Sequence, residues 1–395
     1  MKKIVTTLAI FSTLSFGVLT LDELLANAKQ PQLIQKTIDA EQLALESATL
    51  AQTETAPLTY NQSLSQNQGV GESGLEYEIS FSKEFKLGNI LELEQQQHRL
   101  NNQAYLLEQK RDIYRYNAYL KNAYHNYCLD EEYLTSFRDE VYTFTQLYRK
   151  KERAYSEDEI SKTELLQLRL EKQRLNGELN RLGQKQQNSK VQLLGLTNFN
   201  IYESFSCQDL YPIQEEVVLN EESFALSQEA YSKRIESTQV GLNRYSQKIE
   251  SIDVSMGYTK ELDRDMYTMA ISVPLNFSTR KSEYERASLL HQSSVLSLKN
   301  QQRTEHIVAQ VLLLQNALKE DYRAIEDQYS LINNYTLSLL PLIKKSYQYG
   351  ESSVIEYLLS EQKLYGLKQQ LLEKKRGYYK TLFKLYSMSE SKDYK

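Results

Sequence analysis

Tryptophan is absent from the 395 residues, and the residues that break helices are scarce, with 5 prolines and 13 glycines. So few breakers leave room for very long helices and argue against a compact, loop-rich globule. Only two cysteines occur, Cys128 and Cys207, far apart in different kinds of sequence. Two lone thiols make neither a disulfide framework nor a metal site, so both are expected to be unpaired small residues. The net charge of −5 is mild and spread along the chain, which removes the basic footprint of a nucleic-acid partner. The four histidines (His98, His125, His291, His306) are scattered, and none sits beside a plausible nucleophile or metal partner. That pattern speaks against an enzyme and implies no cofactor. Long hydrophobic runs are missing beyond the N-terminus, so any entry into a membrane must be made by strands. Tyrosine, by contrast, reaches 30, an excess suited both to helix interfaces and to membrane-interface belts.

The N-terminus has the form of an export signal. Lys2 and Lys3 precede an apolar run from Ile4 to Phe16, and the small residues around Ser15-Phe16-Gly17 predict cleavage after Gly17. No cysteine follows that would accept a lipid.

Residues 75–85, LEYEISFSKEF, alternate strictly. Leu75, Tyr77, Ile79 and Phe81 share one strand face, and Glu76, Glu78 and Glu84 share the other. Residues 267–277, YTMAISVPLNF, repeat the pattern 192 residues later, and Ile252, Val254, Met256 and Tyr258 form a third alternating strand. A weaker alternation, Leu58, Tyr60 and Leu64, marks a fourth. Roughly 9–11 residues with apolar and polar faces match a transmembrane β-strand, although a half-buried soluble sheet shares the pattern. Lys83 falls on the apolar parity, where it is tolerated if it snorkels at an interface. Met266 and Met269 are expected to face lipid or an interface. Gly69-Val-Gly-Glu-Ser-Gly74 spells a dinucleotide fingerprint, but it precedes a strand and carries Glu72, so it reads as a loop.

Between these strands lie helices. Thr20 and Glu23 are spaced as a capping box, and Pro31 is expected to interrupt the helix they start. From Gly88 to about Tyr148 nothing breaks the helix. Tyr116, Leu120, Ala123, Tyr127, Leu134, Phe137, Val141, Phe144 and Tyr148 make a coiled-coil seam with Asp130 as its one polar slot. A charged turn at 149–159 leads into a half-length helix, Ile160–Leu196. The second half runs alike: Ser282–Ser346 is a long helix with Val311, Leu314, Leu318, Tyr322, Ile325, Tyr329 and Ile332 in its seam and a kink expected at Pro341. A turn and the helix Val354–Ser387 follow. Tyr155 and Tyr347, Glu159 and Glu351, Glu164 and Glu356, and Leu166 and Leu358 all differ by 192. The pattern is one architecture built twice. It divides the chain into a signal at 1–17, a first repeat at 18–196, an irregular linker at 197–220, a second repeat at 221–390 and a tail at 391–395. Ile38, Gln42 and Leu45 match Ile235, Gln239 and Leu242 at 197, so the first hairpin is expected to be five residues longer.

With these pieces placed, the chain resembles the TolC family of outer-membrane efflux proteins over essentially its whole mature length. LTLDELLANA followed by Pro31, the strand ending ISVPLNF, and YQYGESSVIEYLLSEQKL at 347–364 carry the resemblance. Asp158 departs from it, replacing a glycine in the first turn, although Asp tolerates left-handed backbone better than most residues. The resemblance implies an α+β membrane protein: a homotrimer in which each chain gives four strands to a 12-stranded outer-membrane β-barrel, continued by a long α-helical coiled-coil tunnel in the periplasm. It implies an exit duct for a tripartite efflux pump, joined through a periplasmic adaptor protein to an inner-membrane transporter, with similarity to the metal-ion branch. Independently, four strands leave open edges that cannot face lipid, so another copy must close the sheet. Glu76, Glu78 and Glu84 would then line the barrel lumen. The two helical turns, with Tyr155, Glu157, Asp158 and Glu159 in one and Tyr347, Gly350 and Glu351 in the other, are expected to serve adaptor docking first and cation selection second. A periplasmic coiled-coil adaptor would instead carry one hairpin flanked by compact β-domains, and a secreted coiled-coil structural protein has no use for amphipathic strand pairs.

Overall fold

The computed structural model describes residues 18–53, 56–68, 73–200, 204–219, 225–246, 249–274 and 280–390. The signal at 1–17, the Gly69–Glu72 part of the loop and the tail at 391–395 lie outside them. In chain order the elements are α1 (Leu21–Ala26), α2 (Lys29–Thr53), β1 (Thr59–Gln68), β2 (Ser73–Lys86), α3 (Ile90–Ser156), α4 (Lys162–Gly195), α5 (Ala225–Arg244), β3 (Ser251–Lys260), β4 (Asp265–Ser272), α6 (Lys281–Asn334), a π-helical turn (Tyr335–Leu339), α7 (Leu340–Gln348) and α8 (Val354–Ser389). At about 1.5 Å per residue the 67 residues of α3 extend on the order of 100 Å. The chain forms two compact units, one of Ile34–Asp112 with Phe224–Val308 and one of Met1–Leu33, Ile113–Ser223 and Ala309–Lys395.

The first of these holds a four-stranded antiparallel sheet in the order β1-β2-β3-β4. β4 stops at Ser272, five residues short of the expected end. Pro274 has no N–H to give a ladder, so pairing ends before it. Leu275 and Phe277, expected in the strand, lie outside the described residues. Where β2 runs into α3, Glu94 receives Lys86 at 2.6 Å and Arg244 at 2.9 Å, which ties the sheet to its helices. Arg234 reaches Glu108 at 2.8 Å, joining α5 to α3.

The other unit is a helical assembly built on the expected seam. Leu120, Ala123, Tyr127, Leu134, Phe137, Val141, Phe144 and Tyr148 are all buried. The polar slot Asp130 is buried too, satisfied by Arg376 and by Ser189 Oγ at 2.6 Å. In α6, Val311, Leu314, Leu318 and Ile325 are buried, but Tyr329 stays 37% exposed. Gln328 takes the inner place and donates to the Leu367 carbonyl at 3.0 Å. Where a kink is expected at Pro341, the helix carries a π-helical turn just before it. Widening the helix there accommodates a ring that would clash with the carbonyl four residues back. The capping box forms as expected, with Thr20 N–H donating to Glu23 Oε2 at 2.8 Å. The helix breaks at Asn27–Ala28, however, not at Pro31. Ala28 bridges Thr197 there, and Pro31 falls in the first turn of α2, where its missing N–H costs nothing.

The cysteine expectation is overturned: Cys128 and Cys207 form a disulfide, with Cα atoms 5.5 Å apart. It staples residues 204–219, which carry no helix, to α3. Nearby, Leu19 pairs with Phe205, and Tyr379 Oη donates to the Tyr211 carbonyl at 2.7 Å. His125 completes this anchor. Its Nε2 accepts the Tyr211 N–H at 2.9 Å, and its Nδ1 lies 2.7 Å from the Lys121 carbonyl, an arrangement that requires a neutral ring donating from Nδ1.

Candidate functional site

Two clusters of predicted residues can now be placed, one in each unit. In the sheet, directly paired residues share a face. The pairings Ser80 with Asn61 and Gly257, Ser82 with Thr59 and Ser255, Glu78 with Ser63 and Thr259, and Glu84 with Asp253 make one face polar across the strands. The other face carries Tyr60, Leu64, Tyr77, Ile79, Phe81, Val254, Met256, Tyr258, Tyr267, Met269 and Ile271. Tyr60 and Phe81 rings stand 5.2 Å apart there, and Tyr258 lies 5.1 Å from Tyr267. Lys83 shares this face, its Nζ 5.6 Å from the Phe85 ring.

The structure therefore gathers Glu76, Glu78 and Glu84 on one face and adds Asp253, which reading by strand had not joined to them. The signal was available, since Asp253 holds the polar parity of Ile252-Asp253-Val254, but only the register puts it opposite Glu84. Met266 pairs with Thr259 and falls on the polar face, a correction to its expected apolar placement; Met269 is on the apolar face as expected. Gly257 keeps the polar face low, for a Cβ there would come within 2.7 Å of Thr268 Oγ1.

The second cluster is the pair of helical turns. In the first, the N–H groups of Glu157, Asp158 and Glu159 reach the carbonyls of Arg153, Tyr155 and Ala154. In the second, those of Tyr349, Gly350 and Glu351 reach Lys345, Tyr347 and Ser346, each 192 residues on. Asp158 (φ 61°) and Gly350 (φ 76°) both hold the left-handed geometry that reverses the chain. Ser161 and Ser353 then cap the returning helices, accepting from the N–H groups of Glu164 and Glu356. Glu157, Asp158, Glu159, Gly350 and Glu351 are exposed.

The two tyrosines part company. Tyr155 is 36% exposed, whereas Tyr347 is buried, stacked on Tyr357 at 5.0 Å. Its hydroxyl donates to Glu164 Oε1 at 2.8 Å, and Lys151 Nζ stands 3.2 Å from the same oxygen and 4.5 Å from the Tyr347 ring centre. Burial and donation to this carboxylate push the Tyr347 phenol well above its ordinary range. Tyr347 thus fastens the two hairpins to each other. Glu164 and Lys151 were missed as parts of this site, although Glu164 stood among the residues recurring at 192.

No family model matches the sequence, and no curated protein matches it significantly. Solved structures do match. The chain superposes on CusC, described with its transmembrane channel formation, with a TM-score of 0.74 at 14% identity over 93% of this chain and 90% of that one. The Campylobacter jejuni CmeC outer membrane channel gives 0.72 at 12% identity, covering 94% and 87%. The open Neisseria gonorrhoeae MtrE outer membrane channel gives 0.69 at 12%, covering 94% and 88%. The fold of the single chain, long helices with a four-stranded sheet, is that of these outer-membrane channels.

Proposed function

We propose that three copies of this chain form an outer-membrane channel that serves as the exit duct of a tripartite efflux pump, joined through a periplasmic adaptor to an inner-membrane transporter. The observation that carries this reading is the sheet: four strands, one face polar and the other apolar, with β1 and β4 as its two edges. An apolar face suits lipid, but unpaired edge groups do not. Twelve strands from three copies remove every edge and turn the polar face inward. The likeness to solved outer-membrane channels over more than nine-tenths of the chain supports the same arrangement, and no catalytic role is proposed for any residue.

In that barrel Glu76, Glu78 and Glu84 from three copies give nine carboxylates spaced along the lumen, and Asp253 beside Glu84 raises the number to twelve. Rings of carboxylates favour cations, most strongly at low salt where screening is weakest. The purified protein in planar bilayers should therefore conduct with a cation preference. Replacing Glu76, Glu78 and Glu84 by Gln should move the reversal potential in a salt gradient toward zero without abolishing conductance. No conductance from the parent protein would overturn the channel reading, and an unchanged reversal potential at low salt would remove these carboxylates from selection.

A further inference from the structure

In the helical unit, α3 and α8 border an open cavity of about 300 Å³, the lower end of the range for small-molecule sites. Its charges are unbalanced. Asp139, Glu140 and Glu361 line it with one cation, Lys368, and that cation is paired with Glu140. Glu361 makes no ion pair among the described residues. Part of the wall is aromatic, from the buried Phe144, Tyr357 and Tyr365. Tyr365 is only 9% exposed, yet its hydroxyl has no hydrogen-bond partner among the described residues. A polar group so buried is costly unless something in the cavity completes it. Burial pushes that phenol, and the carboxyls of Glu140 and Glu361, above their ordinary ranges. For Glu361, burial outweighs the Tyr357 hydroxyl and the charges of Lys344 and Lys368, which favour its ionised form. Glu171, also near the Tyr365 hydroxyl, is already engaged with Arg174 at 2.7 Å. The cavity is therefore short of positive charge and of one hydrogen-bond partner.

We propose that this cavity is a binding site for a small organic ammonium ion with an apolar body. The ammonium group lies against Glu361 and donates to the Tyr365 hydroxyl oxygen. The aromatic wall suits both parts of such a ligand, since rings take up apolar surface and attract a cation. A metal ion fits less well. Among the described residues no group of three His, Cys, Asp or Glu is placed to hold one, and hard cations demand several oxygens at once. An anion would meet three carboxylates, and a neutral ligand would leave Glu361 without an opposite charge. The site lies within one chain and stands whether or not three chains close a channel.

Titration calorimetry on the full-length protein in neutral detergent tests it, with 2-phenylethylammonium chloride as the probe. Binding should saturate at one ion per chain. The alcohol 2-phenylethanol, which keeps the ring and lacks the charge, should bind roughly tenfold more weakly or not at all. Glu361→Gln should weaken the ammonium roughly tenfold, the worth of one hydrogen bond to a charged group, and Tyr365→Phe about threefold. Thr143→Phe enters the same cavity from an exposed position on α3, so it should block binding by bulk with the fold intact. It keeps the test available if a change at Glu361 disturbs folding. No saturable binding by the parent protein would overturn the site. Equal binding of the alcohol would overturn the recognition of charge, and unchanged affinity in the Thr143→Phe variant would overturn the assignment to this cavity.

Discussion

Breaking the Cys128–Cys207 disulfide, by reduction or by Cys128→Ser with Cys207→Ser, should destabilise the helical unit that contains it by about 4 kcal/mol. The bond closes a loop of 79 residues, and opening a loop of that size returns conformational entropy of this order to the unfolded chain. The native side loses as well, because residues 204–219 have no helix or sheet of their own and depend on anchors to α3 and α8. His125 is one of the anchors left, beside Tyr124, Tyr378 and Tyr379. Its ring sits among Tyr124, Tyr211, Tyr379 and Phe383, with centroids 4.5 to 5.5 Å away. Burial pushes its pKa down to about 4 from 6.5; the hydrogen bond to the Lys121 carbonyl opposes this, and the Lys121 charge adds to it.

The sign follows from that shift. Below pH 6.5 the unfolded chain takes up a proton that the folded one refuses. The contribution of His125 is therefore complete above pH 6.5 and is lost progressively as pH falls toward 4, by about 3 kcal/mol in all. The reduced protein should thus lose the near-ultraviolet dichroism of its tyrosine cluster at a higher pH than the oxidised protein does. Identical acid transitions in the two forms, with free thiols verified, would show that the staple does not hold the linker.

The second large effect is expected at the hairpin turn. Gly350→Val should cut efflux several-fold while trimers still reach the outer membrane. A Cβ at Gly350 meets no atom within 4 Å, so the damage comes from backbone alone: valine at φ 76° costs roughly 1–2 kcal/mol. That strain bears on the N–H groups of Gly350 and Glu351, which hold Tyr347 and Ser346 in the turn. Gly350→Asn should retain activity, because Asn tolerates the left-handed region, and Asp158 already occupies it in the companion turn. Full efflux by the valine variant at normal trimer levels would show that the geometry of this turn plays no part in the proposed export.

Periodicity made much of this architecture legible. The alternation in Leu75–Phe85 fixed a strand and its two faces, and seven-residue spacing from Leu120 to Tyr148 fixed the buried side of a helix before any partner was known. The turn was readable too, since Asp158 and Gly350 are residue types that suit positive φ. What stayed hidden depended on contacts distant in the chain. The disulfide joins a regular seam to an irregular segment, where no period reports orientation. Asp253 joined the other carboxylates only through the register of β3 on β2. Gln328, and not Tyr329, holds the inner place in the seam, where it donates to the Leu367 carbonyl of α8. The recurrence at 192 made Tyr155 and Tyr347 look equivalent, and one chain leaves them unequal, since only the second has a covering hairpin.

The central claim is that the four-stranded sheet is a fraction of a barrel closed by other copies. The most direct measurement is the number of chains in the complex extracted from outer membranes in mild detergent, fixed by graded crosslinking and by mass. Three chains, with no stable smaller species, is the expected result; a monomer or dimer as the sole extracted form would contradict it.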